Sequence, residues 1–175
     1  VHQAGLNWDN VKHFKDTHDM PLIIKGIATA EDAAVAVEHG VDAIYVSNHG
    51  GRQLDHGRGA VEVLPEVVDA VAGKARIIVD GGITRGTDVV KAIALGADAV
   101  GIGKLQGLAL AAGGLAGVVR MLELLEFEMC HAMGLVGITR LDQIKPDLVV
   151  PAKPVMPPHA ISQFHLLQSD SLQSP

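Results

Sequence analysis

Shifted by 56 residues, the chain falls back on itself: Gly40 lands on Gly96, Gly26-Ile27 on Gly82-Ile83, Asp32 on Asp88, and Asp42-Ala43 on Asp98-Ala99. A repeat of that length holds one strand–helix–strand unit, so the fold must offer successive equivalent places to such units. Four short apolar runs mark the strands: Leu22 to Lys25 (LIIK), Ala43 to Val46 (AIYV), Ile77 to Asp80 (IIVD) and Ala99 to Ile102 (AVGI). Each lacks alternation, the pattern of a parallel strand covered on both faces. Helical stretches separate them. TAEDAAVAVEHG offers Thr29 as N-cap with Asp32 three residues on, and stops at Gly40. TRGTDVVKAIALG repeats that plan and stops at Gly96, while GAVEVLPEVVDAVAG, with Pro65 near its start, fills the gap between the second and third strands.

Parallel strands joined by right-handed crossovers make either an open doubly wound sheet or part of a closed barrel. The repeat favours the barrel, because a closed ring gives each unit an equivalent place. A complete barrel has eight strands and about 250 residues; this chain has 175 residues and four visible strands. The expected fold is therefore the C-terminal half of a TIM (β/α)8 barrel with four parallel strands over residues 1–150, followed by an irregular tail over 151–175. VHQAGLNWDN has neither an initiating Met nor a targeting pattern, so the chain reads as beginning inside a longer one. The N-terminal half of the barrel is expected on another chain or segment. Open sheet edges and an uncovered apolar face favour association, and a homo-oligomer is expected.

Composition narrows the partners. With 48% hydrophobic and 19% charged residues the chain suits a soluble globular core. A net charge of −6 excludes a nucleic-acid surface, which needs a basic stripe, but leaves small anions open. The apolar runs read as too short, and too often broken by glycine or charge, to span a membrane. One cysteine, Cys130, allows no internal disulfide, so a reducing, cytoplasmic location is expected, with Cys130 buried or half-buried. LAGVVRMLELLEFEMCHAMGLVGI reads as a long amphipathic helix whose Met121, Leu122, Leu125, Met129 and Met133 pack into the core. In the tail, His159 and His165 are given no chemistry.

In a parallel barrel the reactive groups stand where strands end and loops begin. The four exits deliver Lys25-Gly26; Ser47-Asn48-His49-Gly50-Gly51-Arg52; Asp80-Gly81-Gly82-Ile83-Thr84-Arg85-Gly86; and Gly103-Lys104. The last two read as a phosphate cradle: glycines admit an anion to the backbone, Thr84 offers a hydroxyl, Arg85 and Lys104 offer charge, and a helix beginning after Thr87 adds free amides. Tight turns with solvated cations are the plainer alternative. Lys25 ends a buried strand and needs a charge partner, either a structural carboxylate or a group that turns anionic during a reaction. His49 can take a proton near neutrality, and Arg52 offers the planar fork that fits a carboxylate. A structural, hydrogen-bonded histidine is the alternative for His49. Zinc is not expected, since no His-x-x-x-His or cysteine pair accompanies it.

IIKGIATAEDA, VSNHGGRQLD, DGGITRGTDVVKAIALGA and GIGK, in that order and spacing, resemble the C-terminal half of the FMN-dependent α-hydroxy acid oxidases and dehydrogenases, from about Trp8 to Ile144. The resemblance implies FMN as cofactor and oxidation of a small L-2-hydroxy acid to the 2-oxo acid. It places Lys25 against the flavin N1 and C2 carbonyl, Ser47 near the flavin, His49 as the base, and Arg52 on the substrate carboxylate. Asp80, Gly81, Gly82, Ile83 and Thr84 match the segment around the ribityl phosphate, with Arg85 keeping charge nearby and Gly103 and Lys104 completing it. Many members have Arg at the position of Thr84, and Gly-Arg-Pro where this chain has Gly103-Lys104-Leu105. The competing expectation is a catalytically silent half-barrel fragment or interaction module without flavin.

Overall fold

A computed structural model describes residues 5–54 and 57–152. Asp55, His159, His165 and all but the first two residues of the expected tail lie outside these. The elements are α1 (Trp8–Thr17), β1 (Ile23–Ile27), α2 (Ala30–Glu38), β2 (Ala43–Val46), a 3-10 turn (His49–Gly51), α3 (Ala60–Val71), β3 (Arg76–Val79), α4 (Gly86–Ala94), β4 (Ala99–Val100) and α5 (Lys104–Leu135). Two further 3-10 turns follow at Leu141–Gln143 and Pro146–Leu148.

The four strands pair in the order β1-β2-β3-β4, all parallel. A doubly wound sheet reverses its strand order at a switch point; this one does not, so the chain has the order of consecutive barrel strands. Ile24, Ile44 and Ile77 lie in register and face the helices, where Ile44, Val46, Val79, Val63, Leu64, Val67 and Val71 are almost completely buried. Burying each such side chain contributes about 1.5–3 kcal/mol. Lys25, Tyr45 and Ile78 occupy the next register level and point to the other face, outside that core. Ile23, on the β1 edge, is 52% exposed.

The repeat extends to its side chains. Asp42 takes the Leu22 amide on its carboxylate and gives its own amide to the Leu22 carbonyl; Asp98 does both to Ile77. Each aspartate thus pins the foot of the preceding strand. Thr29 caps α2 through the Asp32 amide as expected, and Gly40 and Gly96 end α2 and α4 with positive φ.

Several expectations need correction. Pro65 lies in the second turn of α3 rather than at its start. The helix expected after Thr87 begins at Gly86. α1 was not expected: its polar sequence carries no buried residue, and an Asn7/Asn10 capping box starts it. Leu122 is 52% exposed because α4 begins against Leu125 and Met129, beyond its reach. Cys130 is exposed, off the buried stripe of Met121, Leu125 and Met133.

The apolar runs are also longer than expected. α5 is long and apolar enough, by length and composition, to cross a membrane, with a mean hydropathy of 1.7 over an 18-residue window. Its backbone breaks at Gly113 (φ −154°, ψ 20°) and Gly114 (φ 56°, ψ −139°), and every window of that length with at most two charges includes the break. Ala109's carbonyl lies against Gly117, whereas a straight helix would separate residues eight apart by about 12 Å. The element is a bent pair of helices rather than one rod.

Candidate active site

The site begins with β1 and β2 in register, which puts Lys25 beside Tyr45 on the face away from the helices. Lys25 Nζ stands 4.9 Å from the Tyr45 ring centroid. Two residues past Tyr45, on the same face, Ser47 accepts a hydrogen bond from Lys25 Nζ at 2.8 Å. From the end of β3, Asp80 Oδ2 pairs with the same ammonium at 3.1 Å. Both readings of Lys25 therefore share one arrangement: a structural carboxylate anchors it, and its side chain is still 41% exposed at the strand exits.

Ser47 is 2% exposed, yet its hydroxyl serves two neighbours. It also accepts the His49 amide at 3.1 Å. Asn48 closes the turn by accepting the Gly51 amide on its side chain and its carbonyl. His49 is thereby held at φ 57°, a left-handed conformation that non-glycine residues adopt at a cost. Its ring lies against Gly26, where a Cβ would stand 2.9 Å from His49 Cε1. Arg52 follows at the end of the turn and is exposed.

Asp80 Oδ1 is buried and has no hydrogen-bond partner among the described residues. Beside it, the Tyr45 hydroxyl occupies the space left by the absent side chain of Gly101. Burial, and then the negative charge of Asp80, push the Tyr45 hydroxyl above its ordinary pKa of 10.0.

The expected phosphate cradle divides. Lys104 reaches across to the Gly50 carbonyl at 3.2 Å, joining the fourth exit to the second. Arg85 turns away: its Nε pairs with Glu128 of α5 at 2.8 Å, and the Gly86 amide donates to the same carboxylate at 2.8 Å. Thr84 gives its amide and hydroxyl to Asp88, at 3.0 and 3.3 Å. The start of α4 is thus covered by this chain's own carboxylates, contrary to the expectation of free amides there. Gly82 and Gly103 stand in open space. Glu128 and Tyr45 were missed in the sequence. Tyr45 had a signal, its register with Lys25; Glu128, 43 residues from Arg85, had none. A shallow cleft lined by Lys15, His18, Asp19 and Asp42 lies at the opposite end of the strands.

The arrangement gathers an ammonium, an imidazole, an unsatisfied carboxylate oxygen and glycines with open space beside them at one rim, a set suited to an anionic, hydroxyl-bearing ligand. The model of the FMN-dependent dehydrogenase family matches residues 1–151. An L-lactate oxidase of Nostoc sp. is 50% identical over 140 residues, covering 80% of this chain and 38% of that protein. The 2-hydroxyacid oxidase 1 of Mus musculus is 46% identical over 145 residues, 83% of this chain and 39% of that protein. Among solved structures, a mandelate oxidase variant with a monooxide FMN adduct superimposes with a TM-score of 0.77 at 46% identity, over 81% of this chain and 45% of that one. The chain spans less than half the length of each of these relatives.

Proposed function

This chain belongs to the FMN-dependent dehydrogenase family, and we propose that it forms the C-terminal half of an FMN-binding barrel that oxidises a small L-2-hydroxy acid to the 2-oxo acid. The observation that carries this reading is the shared hydroxyl of Ser47, which ties the Lys25 ammonium and the His49 backbone to one point at the strand exits. The residues fit the cofactor chemically. Asp80 Oδ1 is a buried acceptor open to a hydroxyl donor, Gly82 and Gly103 admit close backbone approach, and Lys25 offers fixed positive charge.

When bound, FMN accepts the two electrons that leave the substrate. In this reading Lys25 holds positive charge against the flavin N1 and C2 carbonyl, with Ser47 beside it. Asp80, Gly81, Gly82, Ile83 and Thr84 line the ribityl phosphate segment, completed by Gly103 and Lys104. Arg85 acts one step back, through its pair with Glu128. Arg52 binds the substrate carboxylate with its guanidinium fork, and an imidazole nitrogen of His49 accepts one proton from the substrate.

The remaining strands come from the N-terminal half of the barrel, on another chain or segment, and the assembly is a homo-oligomer. Cytoplasmic location belongs to the same reading, supported by the lone, exposed thiol of Cys130. The alternative is a half-barrel without flavin.

The visible spectrum of the purified chain, alone and together with any segment encoded upstream of it, separates the two. Flavin bands in the combined preparation support the enzyme; colourless protein from both preparations supports the silent half-barrel.

A further inference from the structure

The Lys25 ammonium is held from three sides by Ser47 Oγ at 2.8 Å, Asp80 Oδ2 at 3.1 Å and the Tyr45 ring at 4.9 Å. The Tyr45 hydroxyl and the Asp80 side chain both flank the space beside Gly101. That hydroxyl needs room, and Gly101 at the end of β4 supplies it: any Cβ there would collide with the oxygen, and would stand 3.1 Å from Asp80 Cβ. Three strand exits thus converge on one charged group. Nothing in the apolar core requires a tyrosine here, since Tyr45 faces away from it, in register with Ile78.

We propose that Tyr45 is a positioning residue: its ring, held in place by the hydroxyl lodged in the space beside Gly101, seats the Lys25 ammonium that Ser47 and Asp80 also hold. The ring face attracts the cation without neutralising it. An aliphatic residue at 45 would leave Lys25 with Ser47 and Asp80 alone, and the long lysine side chain would regain rotamer freedom. The consequence is a positive charge fixed in height above the strand exits. This inference rests on the reading that Lys25 faces the flavin.

The test uses the assembled, FMN-loaded protein and reads the midpoint potential of its flavin in wild type, Lys25→Met, Tyr45→Leu, Tyr45→Phe and Gly101→Ala. Lys25→Met should shift the potential to more negative values, since fixed positive charge favours the reduced flavin. Tyr45→Leu and Gly101→Ala should shift it in the same direction by more than half as much, and Tyr45→Phe, which keeps the ring, by less than half. In the Tyr45→Leu background, Gly101→Ala should add no further shift. A wild-type potential in Tyr45→Leu and Gly101→Ala, with or without a lower melting temperature, beside a shifted Lys25→Met, overturns the role of Tyr45 and leaves the reading of Lys25 intact. A wild-type potential in Lys25→Met overturns that reading and the proposal with it. Should Tyr45→Leu fail to hold flavin, Gly101→Ala decides: a shift supports the proposal, and none overturns it.

Discussion

Gly26 and His49 are complementary: the glycine has φ 105°, and the space where its side chain would be is taken by the His49 ring, 2.9 Å from an ideal Cβ. Gly26→Ala therefore both strains β1 and displaces the imidazole. A left-handed non-glycine residue costs about 1–3 kcal/mol. The expected result is a destabilisation of that order in urea unfolding, together with slower flavin reduction in the assembled enzyme. A variant as stable and as fast as wild type would remove the contact from the account.

Arg52→Lys should raise KM for a 2-hydroxy acid more than it lowers kcat, because a point-like ammonium cannot reproduce a two-pronged contact with a carboxylate. Steady-state kinetics with L-lactate check this. Unchanged kinetics would take Arg52 out of the substrate site.

Glu128→Ala should destabilise the protein by about 1–3 kcal/mol, the usual cost of leaving a buried donor unmet. The donor is the Gly86 amide, where α4 meets the backbone of α5, and Arg85 loses its partner at the same time. Urea denaturation measures the loss. Flavin affinity should fall less for Arg85→Ala than for Lys104→Ala if Arg85 is structural, as its pairing with Glu128 implies.

Asp42 gives the fold an acid-side dependence. The hydrogen bond from Lys15, and then the Leu22 amide, hold its carboxyl below the ordinary 3.8. A depressed folded-state pKa contributes stability that is present above the unfolded value and lost as pH falls through the folded one. Asp42→Asn should therefore flatten the stability profile below about pH 4, in the range where Asp titrates, and leave its shape near neutrality unchanged. Thermal unfolding across that range is the measurement, and an unaltered acid limb would contradict the assignment.

The fold was legible where burial governs local sequence. The runs around Ile24, Ile44, Ile77 and Ala99 became strands because one register level packs under the helices, and the 56-residue offset placed Asp42 and Asp98 in the same structural duty. α1 was illegible for the converse reason: none of its side chains is fully buried, only Trp8 and Val11 are partly covered by the core, and a polar capping box starts it. The bend in α5 was hidden because Gly113 and Gly114 sit inside a continuous apolar run. That Lys25, Ser47, His49 and Asp80 gather at the strand exits was legible from their places at or after the ends of the apolar runs. The pairing of Arg85 with Glu128 could not be read from the sequence, because Glu128 is brought to it only by the packing of α4 on α5.

The central claim is that these exits form the working half of a 2-hydroxy acid oxidising site. Anaerobic mixing of the assembled, FMN-loaded protein with L-lactate tests it most directly, comparing wild type with His49→Gln. A positioned general base typically contributes about 10²–10⁴-fold. The account predicts that wild-type flavin bleaches while the variant retains its flavin and bleaches slower by a factor in that range. Wild-type flavin that stays oxidised with L-lactate, glycolate and mandelate alike, or a variant that bleaches as fast as wild type, would contradict it.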